Sequence, residues 1–172
     1  GHAIRQVHPK ARVLYTTSEQ FVNEYIDSIR HGKPDDFRVK HRNLDCLLID
    51  DIQFLVGKDK SEQEFFHAFN SLYEKNKQII LSSDRPPNAI PELEERLRSR
   101  FEGGMIADVS LPDYETRLVI LKTKLQEKNI ELPEDVLEYI ATNVKKNIRE
   151  MEGALNRLLI YFKINNNLPN LE

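Results

Sequence analysis

Two adjacent carboxylates, Asp50 and Asp51, follow directly on the apolar run Cys46–Ile49. A run that is apolar without alternation predicts a central strand that is covered on both faces. Ligands of open parallel α/β sheets bind at the carboxyl ends of the strands, so these acids would face a ligand there. In that position Asp50 could hold a Mg²⁺ ion that bridges nucleotide phosphates, and Asp51 could orient or deprotonate an attacking water. The alternative is an ordinary acidic turn, because short apolar strings that end in acids are frequent.

The elements that would position the two acids are strands that alternate with helices. Four segments predict strands, at Val13–Thr16, Cys46–Ile49, Gln78–Leu81 and Met105–Val109. Apolar residues at helical spacing predict helices between the first three strands, over about 18–30 and about 61–73. Strands that alternate with helices require crossover connections, so the sequence predicts an α/β fold with a parallel sheet and flanking helices.

The pattern changes after Leu111-Pro112, where the sequence predicts helices alone. One helix is expected over about 113–128, a second opens near Pro133, and a third begins near Asn147. We therefore expect two domains, an α/β body over residues 1–111 and a small helical bundle over residues 112–172.

Capping signals mark the start of two predicted helices. Ser61 with Glu64 predicts a capping box, in which each side chain would satisfy a backbone donor of the first turn. Asn147 with Glu150 predicts the same arrangement in the last helix. The asparagines at 165–167 predict a turn or a frayed end.

Bulk composition describes an ordinary globular protein. The 172 residues are 40% hydrophobic and 31% charged, and they suffice for a real hydrophobic core. The net charge of −3 gives no overall attraction to nucleic acid, so any DNA contact would need local patches. No apolar run is long enough to cross a bilayer, and no signal-peptide pattern opens the chain. Because Cys46 is the single cysteine, no internal disulfide can form, and we expect a reducing, cytoplasmic location.

The segment Asp50–Leu55 resembles the Walker B region of the DnaA family of bacterial chromosomal replication initiators. Other segments resemble the same family in the same order, namely Ser18–Val22, Asp36–Arg38, Phe65–Asn70, Ser82–Pro86, Arg96–Phe101 and Arg149–Arg157. Together they span nearly the whole chain and are highly specific. The resemblance implies the AAA+ type of P-loop NTPase fold, with the parallel sheet as its body and the helical bundle as its lid.

The resemblance gives roles to three acids. Asp50 is similar to the Walker B acid associated with Mg²⁺, and Asp51 to the acid that activates water. Asp84, at the end of the third strand, resembles the sensor 1 residue, which reads the γ-phosphate region. Without the family context, Asp84 would be interpreted as a cap or turn residue before Arg85-Pro86. The implied cofactors are ATP or ADP and Mg²⁺.

Two arginines resemble family residues at the boundary between subunits. Arg96 and Arg100 lie four apart on a predicted helix and so share one face. Arg100 resembles the arginine finger that reaches ATP on a neighbouring subunit, and Arg96 resembles its box VII companion. A guanidinium suits this task because it stays charged and binds phosphate oxygens with two parallel hydrogen bonds. The alternative is a pair of cations near the end of a helix that Gly103-Gly104 terminates.

Arg149 resembles the sensor 2 arginine of the lid. It lies roughly 160° around its helix from the stripe of Met151, Leu155 and Leu158, so that face cannot bury it. Arg149 would either reach into a cleft between body and lid or remain a solvated surface charge.

The family also binds single-stranded origin DNA, and the matching positions here are Ile26, Lys58, Lys60 and Ser61. The lysines and a helix N-terminus near Ser61 could contact phosphates, and Ile26 could pack on sugar or base. Lys60 departs from the arginine that is frequent in this position, which keeps the charge but removes a bidentate contact. The alternative is a solvated basic loop.

A Walker A loop, Gly-x-x-x-x-Gly-Lys-Ser/Thr, does not occur in these 172 residues. The resemblance places that loop and its strand upstream of Gly1, with residues 1–7 as the remainder of the next helix. It places the duplex-DNA-binding domain beyond the lid. Because the loop supplies backbone donors and a lysine to the phosphates, we expect this chain alone to bind ATP weakly or not at all.

The function that the resemblance implies is ATP-dependent initiation of chromosomal replication. ATP bound between subunits would let Arg100 complete the neighbouring site in a head-to-tail filament on origin DNA, which would open the duplex and bind the single strand. Slow hydrolysis would then act as the off-switch. Replication regulators and the helicase machinery are further expected partners.

Three alternatives remain open at this point. The chain could belong to a DnaA-like regulator of initiation, although the match at Ile26, Lys58 and Lys60 favours the initiator. It could be a nucleotide-silent module that binds a protein partner. A metal-dependent nuclease that uses Asp50 and Asp51 would need further convergent carboxylates.

Overall fold

The sheet is parallel and has three strands within the range that the structure describes. The structure, a computed structural model, describes residues 2–165. Its strands are β1 (Val13–Thr17), β2 (Cys46–Asp50) and β3 (Gln78–Leu81), in the spatial order β1-β2-β3 with both pairs parallel. The middle strand is buried, since Leu47 is 0% and Ile49 is 2% exposed. The predicted parallel sheet with a covered central strand is confirmed.

Helices flank the sheet and then continue without strands. The described α-helices are α1 (His2–Val7), α2 (Ser18–Arg30), α3 (Pro34–Arg42), α4 (Asp59–Glu74), α5 (Glu95–Glu102), α6 (Tyr114–Glu127), α7 (Glu134–Asn143) and α8 (Ile148–Asn165). Short 3-10 helices lie at Ile52–Leu55 and Pro87–Ala89. None of these helices combines the length and the apolar content that crossing a membrane requires.

The helix α2 lies where its apolar spacing predicts it. The Thr17 side chain accepts a hydrogen bond from the Gln20 backbone N–H at 3.1 Å, which ends β1 and caps the helix. Phe21, Val22 and Tyr25 are buried along one face. They belong to the core cluster that also contains Leu47 and Ile49 of β2, so α2 packs against the sheet directly after the carboxyl end of β1.

The helix α3 was not predicted from the sequence. Pro34 stands in its first turn, where the missing N–H has no partner to lose, and two acids follow at the positive end of the helix dipole. Phe37 and His41 are its buried residues, a stripe too narrow to appear as apolar periodicity. The Phe37 ring packs 5.1 Å from Phe21, so tertiary contact stabilises this helix.

The predicted capping box at Ser61 and Glu64 is wrong. The helix α4 begins two residues earlier, at Asp59, and its N-cap makes no side-chain hydrogen bond. The side chain of Glu64 is 5% exposed and binds the Arg38 Nε atom at 3.2 Å and the Arg42 guanidinium. A nearly buried carboxylate needs charged donors, and this requirement outweighs a weak local cap.

The strand predicted at Met105–Val109 is not formed. Residues 105–113 contain neither helix nor strand, and the described sheet ends at β3. Met105 is 98% and Val109 is 93% exposed. Apolar and β-branched residues favour an extended chain, but a strand also requires a neighbour for its backbone groups, and this segment has none in the described sheet.

The chain divides into two compact units, Gly1–Ile106 and Ala107–Glu172. This division lies five residues before the boundary expected from the sequence. The first unit contains the sheet and α1 to α5. Its core includes the fully buried residues Phe21, Leu47, Phe65 and Leu97.

The second unit consists of α6, α7 and α8. Their buried residues form one cluster, with Leu121, Met151 and Leu155 at most 1% exposed. The predicted Asn147 cap is confirmed, because the Glu150 N–H donates to its side-chain oxygen at 2.6 Å. The helix α8 continues through Asn165, and the other asparagines of the expected turn, at 166 and 167, lie outside the described residues.

Candidate functional site

The acid Asp50 is the last residue of β2, and its side chain is held by both neighbouring strands. It pairs in register with Thr17 of β1. Its carboxylate accepts a hydrogen bond from the Tyr15 hydroxyl at 3.0 Å and another from the Ser82 hydroxyl. Tyr15 belongs to β1 and Ser82 follows β3 directly, so the acid is oriented at the carboxyl edge of the sheet.

The two acids change the pKa of the neighbouring tyrosine, Tyr15. The hydrogen bond to Asp50 raises the pKa of Tyr15 above its ordinary value, and the charges of Asp50 and Asp51 act in the same direction. A phenolate beside two carboxylates is unfavourable. Tyr15 therefore stays protonated and continues to donate its hydrogen bond at neutral pH.

Asp51 follows in a left-handed backbone conformation, with φ 58° and ψ 53°. Among residues other than glycine, Asp and Asn enter this region most readily. The turn leads the chain from β2 into the 3-10 helix Ile52–Leu55. The Asp51 N–H donates to the Ser82 hydroxyl oxygen at 3.1 Å, and the Asp51 carboxylate accepts from the Gln53 side-chain amide at 3.1 Å. The second acid is thus fixed by its own loop and by the segment after β3.

Ser82 and Tyr15 are site residues that the sequence analysis missed. They lie 32 and 35 residues from Asp50 along the chain, so motif spacing could not find them. The usable signal was the alignment of strand ends, because a hydroxyl placed directly after a parallel strand meets the ends of its neighbours.

Asp84 lies three residues beyond β3 and is exposed. The Arg85 guanidinium donates to both of its carboxylate oxygens at 2.8 Å, and this contact lowers the pKa of Asp84. Its side-chain partner in the described chain is Arg85, not either acid of β2. The structure therefore places the sensor 1 candidate on the segment that follows β3, with its carboxylate paired to Arg85.

Arg96 and Arg100 lie on α5, one turn apart, and both are exposed. The Arg96 guanidinium carbon is 4.6 Å from the centre of the Phe66 ring, and its Nη2 donates to Glu94 at 2.7 Å. The Arg100 guanidinium carbon is 5.0 Å from the centre of the Tyr73 ring. An aromatic face attracts a cation without using its N–H groups. These arginines are therefore held on α4 with donors available to an anion.

Arg149 belongs to the other unit, in the first turn of α8, and its side chain is exposed. The buried face of that helix carries Met151, Leu155 and Leu159. The expectation that this face does not bury Arg149 is confirmed.

The candidate DNA contacts differ in accessibility. Ile26 is 38% exposed on α2, and Lys58 and Lys60 are exposed at the start of α4. Ser61 is 4% exposed, and its backbone N–H donates to the Lys58 carbonyl oxygen at 2.8 Å. A surface contact through Ser61 is wrong for this structure, because α4 starts earlier than predicted and turns that side chain inward.

Oxygen donors at the acid pair fit Mg²⁺. This ion prefers oxygen ligands and commonly combines one or two carboxylates with phosphate oxygens and water. Asp50 offers a carboxylate that neighbouring hydroxyls orient. Within residues 2–165, no group of three or more His, Cys, Asp or Glu side chains is arranged to hold a metal ion. The geometry suits a metal shared with a nucleotide, and the extra carboxylates that a nuclease would need are not among the described residues.

A cavity of about 870 Å³ lies at the opposite edge of the sheet. Ala11, Asp45 and Gln78 line it near the amino ends of the three strands. Open α/β sheets bind ligands at the carboxyl ends instead, so this cavity is separate from the acid pair.

Comparison with known sequences gives a consistent family assignment. The family described as "Bacterial DnaA ATPase domain" matches residues 1–108. The chromosomal replication initiator protein DnaA of Caldanaerobacter subterraneus subsp. tengcongensis is 54% identical over 172 residues, which are 100% of this chain and 39% of that protein. The chain therefore spans about two fifths of the length of this relative.

Solved structures show the same fold. Domain III of the Thermotoga maritima replication initiation protein DnaA matches with a TM-score of 0.96 and 43% identity, covering 99% of this chain and 72% of that one. Replication initiator DnaA bound to AMPPCP and single-stranded DNA matches with a TM-score of 0.84 and 40% identity, covering 93% and 49%. AMPPCP-bound DnaA from Aquifex aeolicus matches with a TM-score of 0.81 and 41% identity, covering 89% and 48%.

These matches agree with the motifs in the sequence and with the two acids at the carboxyl end of the middle strand of a parallel sheet. The chain belongs to the bacterial DnaA family.

Proposed function

We propose that this chain is the nucleotide-responsive part of an initiator of chromosomal replication that acts on origin DNA in the cytoplasm. The observation that carries the proposal is the pair of acids at the carboxyl edge of a parallel sheet. Tyr15 of β1 and Ser82, directly after β3, bind the Asp50 carboxylate, and Ser82 also binds the Asp51 N–H. Relatives of the same fold support it, since two contain AMPPCP and one of these also contains single-stranded DNA.

The two acids have different tasks in this proposal. Mg²⁺ bound with ATP would neutralise negative charge that develops on the transferred phosphoryl group. Asp50 would hold that ion, directly or through water. Asp51 orients the attacking water and accepts its proton. Asp84 senses the γ-phosphate region once its carboxylate leaves Arg85, and the described contacts keep that carboxylate ionised.

The arginines act on nucleotide at longer range. Arg100 is proposed to reach ATP bound on a neighbouring subunit, with Arg96 beside it at the same boundary. Their exposed positions over Tyr73 and Phe66 support this role, because the guanidinium groups are held without being buried. Such a head-to-tail contact generates a filament, since it does not close on itself. Arg149 is proposed to contact nucleotide from the helical unit.

Single-stranded DNA is the proposed partner of the surface near the start of α4. Lys58 and Lys60 supply charge for phosphates, and Ile26 supplies an apolar contact for sugar or base. Ser61 is not part of this proposal, because its side chain is buried.

The test measures single-strand binding and ATP hydrolysis by the full-length protein. Fluorescence anisotropy of a labelled oligothymidine should show tight binding with Mg²⁺ and ATP and weaker binding with ADP. Lys58→Ala should weaken binding and reduce the slope of log K against log salt by about one, because one phosphate contact is lost.

Lys10→Ala is the matched control, because Lys10 is also exposed but lines the cavity at the opposite edge of the sheet. It should leave the salt slope unchanged. If the wild-type protein binds neither ATP nor the oligonucleotide, the initiator proposal fails and a nucleotide-silent interaction module remains. Binding with equal loss in both variants would remove Lys58 from the DNA site.

A further inference from the structure

Ser82 uses each of its polar groups on the turn that ends β2. Its backbone N–H donates to the Ile49 carbonyl oxygen at 3.0 Å, and its own carbonyl oxygen accepts from the Ile52 N–H at 2.9 Å. Its hydroxyl donates to the Asp50 carboxylate and accepts from the Asp51 N–H at 3.1 Å. One residue therefore binds four consecutive residues, which include both acids.

The chemistry of a hydroxyl makes this arrangement directional. A serine oxygen carries one proton and two lone pairs. The Asp51 N–H occupies a lone pair, so the single proton is left to point at the Asp50 carboxylate. The same oxygen therefore fixes the rotation of one acid and the backbone of the other. Alanine at this position would remove both contacts at once.

The backbone of Asp51 increases the need for an external support. Its left-handed φ of 58° belongs to a sparsely populated region that persists where the surroundings hold it. Gln53 binds the Asp51 carboxylate from within the same loop. Ser82 is the residue that ties this turn to the next strand, so the position of the second acid depends on β3.

We propose that Ser82 is a positioning residue for the reaction at Asp50 and Asp51. It sets the direction in which the Asp50 carboxylate faces the metal, and it holds the turn from which Asp51 reaches the water. Ser82 itself need not touch nucleotide. This inference rests on the proposed function, and it gives a role to Ser82, to which the resemblance of Ser82–Pro86 to the family assigned none.

The first test is kinetic and uses the full-length protein. Ser82→Ala should lower kcat for Mg²⁺-dependent ATP hydrolysis about 10- to 100-fold, as expected when a hydrogen-bond partner of a metal-associated ligand is removed. The KM for ATP should change by less than about threefold, because the nucleotide contacts remain. Ser82→Thr keeps the hydroxyl and should restore kcat to within about threefold of wild type.

Ser83→Ala is the matched control, because the Ser83 hydroxyl accepts from the Arg85 N–H at 3.3 Å and does not bind either acid. It should leave kcat unchanged. Wild-type kcat in Ser82→Ala, or an equal loss in Ser83→Ala, would overturn the proposal.

The second test needs no nucleotide and uses the 172-residue chain. Hydrogen exchange followed by NMR should show the Asp51 amide exchanging about tenfold faster in Ser82→Ala, and near the wild-type rate in Ser82→Thr and Ser83→Ala. Unchanged exchange in Ser82→Ala would overturn the role of Ser82 even if the full-length protein hydrolyses ATP. A wild-type protein without ATPase activity would instead defeat the proposed function, and the exchange rates would still show whether Ser82 holds the turn.

Discussion

Asp45 and Asp50 stand at the two ends of β2 and have partners of different kinds. Asp45, just before the strand, accepts a hydrogen bond from the Arg12 backbone N–H at 2.9 Å and one from the Lys77 ammonium group at 2.9 Å. Asp50, at the other end, accepts from two hydroxyl groups. The same residue type, separated by a single strand, is placed in two chemical settings.

The difference separates a structural carboxylate from the one that we propose binds a metal ion. The Arg12 N–H first, and then the Lys77 ammonium group, lower the pKa of Asp45 to about 2. Arg12 precedes β1 and Lys77 precedes β3, so Asp45 joins the amino ends of all three strands. A cation neutralises the carboxylate that it binds, whereas a hydroxyl orients a carboxylate without supplying positive charge. Hydroxyl partners are therefore suited to an acid that must attract a metal ion.

The largest expected effect is loss of hydrolysis in Asp50→Asn. The change keeps the size of the side chain but removes its charge, so the full-length protein should hydrolyse ATP about 100-fold more slowly or worse. The melting temperature should stay within about 2 °C of wild type, because asparagine has the same size and its amide group can still hydrogen-bond to the Tyr15 and Ser82 hydroxyls. Steady-state phosphate release and differential scanning calorimetry measure the two quantities.

Asp45→Asn is the control: an equal loss of hydrolysis in Asp45→Asn would contradict a role in hydrolysis that is specific to Asp50. Asp45→Asn should leave kcat within about threefold of wild type. A larger loss would show that the two ends of β2 do not have separate roles.

The second effect is loss of stability in Asp45→Asn. Removing the carboxylate leaves Lys77 without its partner and loosens the amino edge, so the melting temperature of the 172-residue chain at about pH 6 should fall by about 2–4 °C. Because the folded pKa of about 2 lies below the ordinary aspartate value of 3.8, the contribution of Asp45 to stability is present above about pH 4 and is lost as the pH falls through about 2. The gap between variant and wild type should therefore close between about pH 4 and pH 2.

Asp108→Asn provides the control for this measurement. Asp108 is exposed, and its described partner is the Ser110 hydroxyl at 3.1 Å. The same chemical change there should leave the melting temperature unchanged at every pH. A gap that persists undiminished at pH 2 would contradict the assignment of the stabilisation to the charge of Asp45.

The smallest expected effect is a lower pKa of Tyr15 in Asp50→Asn, which tests the hydroxyl contact of Asp50. Since that carboxylate raises the pKa of Tyr15, Asp50→Asn should move the ionisation of Tyr15 down towards the ordinary tyrosine value near 10.0. Absorbance at alkaline pH, with Tyr15→Phe subtracted to isolate one tyrosine among several, measures this shift. Asp45→Asn should leave the Tyr15 titration in place. An unchanged Tyr15 titration in Asp50→Asn would show that the hydroxyl contact does not persist in solution.

Much of this architecture could be predicted from local sequence. The apolar stripe of α2 and the uninterrupted apolar run of β2 gave those elements and placed Asp50 and Asp51 at a sheet edge. These signals are local, because each depends on the spacing of residues within one element. The same holds for Asn147, whose cap involves a residue three positions away.

The failures arose where distant partners decide the structure. Glu64 is predicted to form a local cap, but its carboxylate instead binds Arg42 and Arg38 of α3, which lie 22 and 26 residues away along the chain. Met105–Val109 has the composition of a strand and lacks a neighbour in the described sheet. Ser82 lies in a recognised motif, yet its contacts with the acids depend on strand order and register, which spacing along the chain does not reveal.

Because the backbone at Asp51 is left-handed, a substitution there that stabilises the fold can remove the proposed activity. Glycine adopts that conformation without steric penalty, so Asp51→Gly is among the exchanges that a search for heat resistance alone would reward. Such a variant would have a higher melting temperature and would lack the carboxylate that is proposed to receive the proton from water. The backbone torsion at this position suits glycine best, whereas the proposed reaction requires the carboxylate of aspartate.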